Sequence, residues 1–350
     1  MVMHRAYLKT GLLALVSFML VLAIISFPKE SFEGSLRGLA LWWEVVFPAL
    51  LPFFITSELL MGFGVVHFMG VLLEPFMRPL FGIPGVGGFV LSMGIASGYP
   101  MGAKLTVRLR EQNLLTQIEG ERLVAVASTS GPLFMIGAVA VGFFHDARLG
   151  LIIALSHYLG AFGVGLLMRF HRRREKPNEN TPRTSPNPHH PLFKRALLAM
   201  HNARLKDGRP FGQLMGDAVT SSIQTLLLIG GFIIIFSVFN HLLHTIGLAP
   251  WFVYVLTTLL APLGLEPQLV PALFAGLFEI TLGSQLASEA GEKVLLVDKV
   301  AVASAIIAFS GLSVHAQVAS ILSTTDIRYA PYLFARFIHC LLAGTFTYLL

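Results

Sequence analysis

Glycine and proline interrupt the apolar stretch Gly94–Lys104 in a pattern that could expose backbone groups to a solute. Gly98, Tyr99, Pro100 and Gly102 lie within this stretch. Because Pro100 has no N–H, the carbonyl four residues earlier loses its helical hydrogen-bond partner. A free carbonyl inside a membrane is tolerated only where protein or a water-filled cavity satisfies it. The stretch therefore predicts a broken or re-entrant helix, which is a device that transporters use to bind substrates.

Three further segments combine small or polar residues with helix breaks. Ser128–Gly131 is followed by Pro132, which again removes a helical hydrogen bond. In the second half of the chain, Glu279–Gln285 and Ser310–Gly311 occupy positions equivalent to the first and second interruptions. Helix N-termini at such breaks can supply positive potential for an anionic solute.

Ionisable residues inside membrane segments are costly and are candidates for function by default. Glu279 could carry a coupling proton or cation, or accept a hydrogen bond from a substrate. His315 could contact substrate or act as a hydrogen-bonded core residue. Lys104 could attract an anion, or its side chain could simply extend to the cytoplasmic interface. The predicted substrate-binding residues come from all four segments and their flanks: Gly98, Tyr99, Pro100, Gly102, Lys104, Ser128, Thr129, Ser130, Gly131, Glu279, Thr281, Gly283, Ser284, Gln285, Ser310, Gly311, His315 and Gln317.

The composition is that of a polytopic membrane protein. Hydrophobic residues make up 55% of the 350 residues and charged residues 13%, whereas soluble domains carry about 25% charged residues. The single cysteine excludes an intrachain disulfide and a cysteine metal cluster. The sequence contains no phosphate-binding loop, no His-Glu-x-x-His and no Gly-x-Ser-x-Gly. We therefore predict a protein that is not an enzyme and that needs no metal or cofactor.

The apolar runs predict an all-α protein with about eleven membrane segments. An N-terminal transmembrane span and a loop occupy residues 1–38, with the loop at Lys29–Arg37. Two units of five segments follow, at residues 39–170 and 211–350. A second polar loop is predicted at residues 104–122, since this region carries several charged residues.

A basic linker at residues 171–210 is predicted to separate the two units. Residues 169–209 contain eleven Lys or Arg against three acidic residues. Positive charge next to a membrane sets orientation, so we place the linker and the N-terminus in the cytoplasm and do not infer nucleic-acid binding from the net charge of +6. The Pro-rich middle of the linker is expected to be disordered, and a short interfacial helix is predicted from Leu192.

The spacing of the interruptions indicates an internal repeat. Gly102 and Gly131 are 29 residues apart, and Gly283 and Gly311 are 28 apart. Five segments are an odd number, so the two copies must insert in opposite senses, as in secondary transporters with a binding site between the repeats. The copies are not identical, because Leu312 stands where the first copy has proline.

Four segments resemble a known family. Gly98-Tyr-Pro-Met-Gly102 and Ser128-Thr-Ser-Gly-Pro132 are similar to the nucleoside-recognition, or Gate, domain. The stretches Ser221–Ser237 and Phe47–Phe54 resemble sporulation integral membrane proteins of the YlbJ type. The resemblance runs from about Leu39 to the end of the chain, and the linker is its loosest part.

The resemblance implies transport of dipicolinate across the outer membrane of the developing spore. It also implies similarity to nucleoside carriers, so a nucleoside-type solute is an alternative substrate. A third interpretation is a membrane scaffold without transport activity, whose basic linker recruits a partner or anionic lipid. Beyond the lipid bilayer, partners could be further copies of the chain or other sporulation membrane proteins. The direction of transport and the coupling ion stay open.

Overall fold

The computed structural model describes residues 2–172 and 191–350, and every regular element within these ranges is helical. The middle of the linker, predicted to be disordered, lies outside the described residues. The helices before the linker are α1 Val2–Ser26, α2 Pro28–Leu41, α3 Phe47–Gly62, α4 Val65–Phe81, α5 Val86–Ser97, α6 Met101–Glu111, α7 Gln117–Ala127 and α8 Ala147–Met168. Two π-helical segments, Trp42–Val46 and Leu133–Phe143, join α2 to α3 and precede α8.

The second half begins with a helix in the region where an interfacial helix was predicted. Its helices are α9 Leu192–Asp207, α10 Phe211–Thr245, α11 Leu248–Leu260, α12 Val270–Phe278, α13 Ile280–Ser288, α14 Leu296–Phe309, α15 Gly311–Leu322 and α16 Tyr329–Leu349. Short 3₁₀ turns at Ala261–Leu263 and Pro267–Leu269 lie between α11 and α12.

Four helical stretches are long and apolar enough to cross a membrane. They are Ala147–Met168, Phe211–Thr245, Leu296–Leu322 and Tyr329–Leu349. The count rises to six if each of two bent pairs forms one span: α1 with α2, bent by 105°, and α3 with α4, bent by 82°. These lengths and compositions, which apply to the described residues, support the predicted all-α, multi-pass fold.

The prediction of a polar loop at Lys29–Arg37 is wrong, because these residues form most of α2. Small residues let α2 lie directly on α10: a Cβ at Gly34 would lie 3.0 Å from the Cα of Val238. The hydroxyl of Ser237 also donates to the Gly34 carbonyl at 2.8 Å. Close backbone approach through small residues is a common way for membrane helices to associate.

The polar loop predicted at residues 104–122 is also wrong. α6 and α7 cover most of this region, and only residues 112–116 connect them. Thr116 begins α7 with a capping box, in which its hydroxyl accepts the Glu119 N–H and the Glu119 carboxylate accepts the Thr116 N–H. Several of the charged side chains that suggested a loop are instead paired with other helices, as described below.

The first interruption is a helical hairpin formed by α5 and α6. A Cβ added to Gly94 or to Gly102 would overlap the same atom, the carbonyl oxygen of Ala127. Residues eight apart in a straight helix are separated by about 12 Å. Both glycines reach one atom only because the chain folds back at Gly98–Pro100.

α12 and α13 form a second hairpin that folds back at Glu279. A Cβ at Gly283 would overlap backbone atoms of Gly276 and would lie 3.0 Å from the carbonyl oxygen of Ala272. Seven residues of straight helix span about 10 Å, so α13 must return along α12. This turn contains no proline. The sequence feature that accompanies it is Gly283, which lets α13 pack closely against α12.

We predict that Gly283→Ala destabilises the second hairpin. The new methyl group would meet backbone, which cannot rotate away, so we expect the free energy of unfolding to fall by about 1–3 kcal/mol. Thermal unfolding of the detergent-purified protein measures the change. Gly231→Ala on α10 is the matched control, because a Cβ there meets nothing within 4 Å. Equal melting temperatures for both variants would contradict the tight packing of α12 against α13.

Candidate solute-binding site

The break after α7 lies against the tip of the first hairpin. α7 ends at Ala127, and Ser128 has an extended backbone. A Cβ at Gly131 would lie 3.2 Å from the carbonyl oxygen of Ser97, and one at Gly98 would lie 2.6 Å from the Gly131 nitrogen. The hairpin tip and the break are therefore in backbone contact, which glycine at both positions allows.

The break between α14 and α15 lies against the tip of the second hairpin in the same way. Ser310 and Gly311 both have a left-handed backbone, with φ of 77° and 64°. A Cβ at Gly311 would lie 3.1 Å from the Gly276 carbonyl oxygen and 3.2 Å from that of Phe278. A left-handed serine is strained and persists here because the hairpin tip packs against it.

Glu279 forms the tip of the second hairpin and caps α13. Its backbone is extended, with φ −147° and ψ 125°. One carboxylate oxygen accepts the N–H of Thr281 at 3.0 Å and its hydroxyl at 2.9 Å, and the other accepts the N–H of Leu282 at 2.9 Å. The carboxylate thus satisfies the first N–H groups of the helix, as an N-cap side chain does.

A cavity of about 550 Å³ lies where both hairpin tips and both breaks meet. α3 and α10 close it with apolar side chains, among them Leu50, Phe53 and Ile229. Its polar lining residues are Glu44, Ser97, Tyr99, Ser130, Glu279, Thr281, Ser310, Ser313 and Gln317. A mainly apolar cleft of this size with a few convergent polar groups is typical of small-molecule sites.

Four helical segments begin beside this cavity. The π-helical segment Leu133–Phe143 and α13 begin at residues that line the cavity. α15 begins directly after the lining residue Ser310, and α6 begins two residues after the lining residue Tyr99. Helix N-termini carry unpaired N–H groups and a partial positive charge, so they attract anions. Glu279 occupies one of the four.

The structure brings together eight of the predicted binding residues at the cavity and places the other ten outside its lining. Those that line it are Gly98, Tyr99, Ser130, Gly131, Glu279, Thr281, Ser310 and Gln317. Those outside the lining are Pro100, Gly102, Lys104, Ser128, Thr129, Gly283, Ser284, Gln285, Gly311 and His315. Several of the second group, such as Gly102 and Gly283, still shape the hairpins by close packing.

Lys104 does not extend to the membrane interface, and that interpretation is wrong. Its ammonium is buried, 3.2 Å from the carboxylate of Glu58 and 4.9 Å from the centre of the Phe54 ring. Glu58 also lies 3.8 Å from the Arg108 guanidinium. The Lys104 charge is therefore balanced inside the protein, on the α3 side of the first hairpin.

His315 and Gln285 make contacts away from the cavity. One ring nitrogen of His315 lies 2.6 Å from the hydroxyl of Tyr329, and the other lies 2.9 Å from the carbonyl oxygen of Phe309. Because a carbonyl only accepts, the second nitrogen carries the proton. Gln285 donates to the exposed Glu289 at 2.9 Å. His315 thus has the contacts of a hydrogen-bonded core residue.

Arg336 is a buried cation next to the site that the sequence analysis missed. It lies on α16 and is 0% exposed. It donates to the carbonyl oxygens of Ala125 and Ser128, and to His339 at 2.9 Å. The signal was present in the sequence, because Arg336 is the only Lys, Arg, Asp or Glu in the apolar run from Pro331 to Leu350.

Two histidines extend the contacts of Arg336 toward the first break. The ring of His339 donates to the carbonyl oxygen of His157 at 2.7 Å. The ring of His157 in turn accepts the backbone N–H of Ser130 at 2.9 Å. These two contacts connect Arg336 on α16, through His339 and His157, to the backbone of Ser130.

Two ion pairs join the halves at one end of the bundle. Arg110 donates to both carboxylate oxygens of Asp326, at 2.8 and 2.9 Å. Arg328 donates to both oxygens of the fully buried Glu121, at 2.6 and 3.0 Å. His171 contacts the same carboxylate at 2.7 Å. The short connection between α15 and α16 is thereby fixed to α6 and α7.

The chain matches a protein family, a relative and a solved structure. The family model described as Gate, nucleoside recognition, matches residues 43–147 and 226–327. The chain is 53% identical over 348 residues to the sporulation integral membrane protein YlbJ of Bacillus subtilis (strain 168), and the match covers 99% of this chain and 84% of that protein. Among solved structures, the chain is similar to CNTnw in an outward-facing state, with a TM-score of 0.49 and 15% identity, over 95% of this chain and 87% of that one.

The apolar helices and the matched segments in both halves define an integral membrane protein with a Gate domain. The chain belongs to the family of the sporulation integral membrane protein YlbJ. The resemblance predicted from the sequence is therefore confirmed.

We predict that Arg328→Gln weakens the contact between the halves. The change leaves the buried Glu121 carboxylate with His171 and the Arg328 backbone N–H but without the guanidinium. We expect a loss of about 1–3 kcal/mol in the free energy of unfolding, because a buried acceptor loses its main partner. Chemical unfolding in detergent measures it. Arg148→Gln is the control, since the Arg148–Asp146 pair is exposed and exposed pairs contribute little. A loss as small as that of the control would mean that the Arg328–Glu121 contact does not join the halves.

The Arg110–Asp326 pair predicts a pH dependence. The Arg110 guanidinium holds the pKa of the Asp326 carboxyl below its ordinary value of 3.8. Stability from a lowered pKa is complete above the ordinary value and is lost as the pH falls through the lower, folded value. We therefore expect Asp326→Asn to melt below the wild type at neutral pH and the difference to shrink in acid. Melting curves over this range test the sign, and a difference that grows in acid would contradict it.

Proposed function

We propose that the protein is a membrane permease for a small aromatic carboxylate and that, as its family implies, this solute is dipicolinate, delivered across the outer forespore membrane. The observation that carries the proposal is the cavity between the two hairpin tips and the two breaks. Solute sites in secondary transporters are formed in this way, from discontinuous helices that meet near the midplane.

We also propose that the two halves are inverted repeats and that the chain has about eleven membrane segments. The open end of the first hairpin, at Arg110, lies beside Asp326, just before α16 begins. The second hairpin opens at Ser288, whose carbonyl accepts from Lys299 at 3.3 Å. The hydroxyl of Tyr348, near the other end of α16, donates to the Asp298 carboxylate at 2.8 Å. The hairpins thus enter from opposite ends, which supports alternating access around one site.

The helix N-termini around the cavity favour an anionic solute, and the apolar wall from α3 and α10 suits an aromatic ring. A nucleoside is the second candidate, because the matching family model is described as nucleoside recognition. Dipicolinate is an anion and a nucleoside is uncharged, so comparing the transport of these two solutes distinguishes the candidates.

We predict saturable uptake of labelled dipicolinate into liposomes that contain the purified protein. Glu279→Gln should lower the uptake at least about tenfold, because the substituted amide has one acceptor oxygen and no charge, whereas the native carboxylate caps α13 with both oxygens and faces the cavity. Unlabelled nucleoside serves as competitor. Glu289→Gln is the matched control, since Glu289 lies outside the cavity lining.

The outcomes separate the candidates. Dipicolinate uptake that resists nucleoside supports the carboxylate permease, and nucleoside uptake without dipicolinate uptake supports the second candidate. If folded protein transports neither solute, the permease proposal is overturned and a scaffold that recruits a partner through the basic linker becomes the better explanation.

A further inference from the structure

Arg336 carries a buried charge that the surrounding protein does not neutralise. Its partners, besides the Ala125 and Ser128 carbonyls, are His339 and the hydroxyl of Tyr99, 3.4 Å away. Within residues 2–172 and 191–350, no carboxylate oxygen is found within 4.0 Å of its guanidinium. A charge inside a membrane is costly unless it is paired, and backbone carbonyls supply only partial negative charge.

Lys104 is a second buried cation, and its charge is paired with a carboxylate. Its ammonium has Glu58 at 3.2 Å, with Phe54 beneath it. The contrast between the two sites indicates that the positive charge of Arg336 is left available, while that of Lys104 is balanced. Buried nitrogens without a hydrogen-bond partner among the described residues occur at both sites, Nε of Arg336 and Nζ of Lys104, but only Lys104 has a carboxylate beside it.

The contacts of Arg336 lead to the cavity wall. Tyr99 lines the cavity, accepts from Arg336 and donates to the Ile307 carbonyl at 3.1 Å. Ser130 also lines the cavity and is held by His157, which His339 connects to Arg336. Arg336 itself is not part of the lining, so it lies one side chain behind the wall.

Glu279 is the carboxylate that lines the cavity from the second hairpin, and its charge is already engaged. Its oxygens accept two N–H groups at the start of α13, where the helix dipole is positive. Among the described residues, no opposite charge contacts the guanidinium of Arg336. An anion bound against Tyr99 would supply one, because Coulomb attraction acts beyond direct contact.

We propose that Arg336 is the specificity-determining residue that makes the cavity select carboxylate-bearing solutes over neutral ones. It acts through Tyr99 and the first break as a positioning residue and as a fixed positive charge, without contacting the solute. This inference rests on the proposed function, since it assigns the charge preference of the same cavity.

The test compares two solutes of the same shape, dipicolinate and its uncharged diamide, by binding to the full-length protein in detergent. We expect Arg336→Gln to weaken dipicolinate binding by about tenfold or more and to change diamide binding little, because only the diacid loses an electrostatic attraction. Arg336→Lys should retain the preference for the diacid, even if both affinities fall, since lysine keeps the charge but not the planar donor geometry.

Lys104→Gln is the matched control. It also removes one buried positive charge, but that charge is paired and Lys104 lies outside the cavity lining. We therefore expect the ratio of diacid to diamide affinity to stay at its wild-type value. Arg108 lies near Glu58 and keeps that carboxylate paired in the variant.

The possible results decide between this inference and the proposed function. If the wild type binds neither solute, the proposed function fails. If the wild type binds both solutes equally, or if Arg336→Gln lowers both affinities by the same factor, the inference fails while the binding site stands. If Arg336→Gln does not fold, the test uses the ratio of diacid to diamide affinity in the wild type and in Arg336→Lys. If either protein shows no preference for the diacid, the inference is overturned.

Discussion

A broken helix inside a membrane must satisfy the backbone groups that it exposes, and this constraint organises the structure. Each hairpin tip lies in backbone contact with the break of a neighbouring helix, through Gly98 and Gly131 in the first half and through Phe278 and Gly311 in the second. Side chains complete the arrangement, with Arg336 on the carbonyl of Ser128. The cavity is the space that remains where these four irregular segments meet.

The chain places its ionisable groups in different ways according to their position. Lys104 and Glu58 balance one another beside the first hairpin, and Arg328 with Glu121 joins the two halves at one end. By contrast, Glu279 caps a helix at the cavity, and Arg336, behind the cavity wall, donates to two backbone carbonyls and to His339. The paired charges therefore connect helices and the two halves. The positive charge of Arg336 instead lies near the site where we propose that an anion binds.

Much of the site was predictable because helix breaks have a strong local signal. Pro100, Pro132 and the glycine at position 311 showed where the backbone is irregular, and Glu279 was conspicuous as an acid in an apolar segment. The error for Lys104 has a physical cause. A lysine at the end of an apolar run can extend to water or find a buried acid, and only the position of Glu58 in space distinguishes these cases.

The sequence by itself determined the membrane class, the helical composition, the family and the positions of the breaks, since hydropathy and the backbone preferences of proline and glycine are local properties. The tertiary structure decided which residues meet. It turned the charged runs at 29–37 and 104–122 into helices, because their residues find partners on α10 and in the connection between α15 and α16. It also brought Arg336 behind Tyr99, although the two are 237 residues apart, and no local pattern records a contact over such a distance.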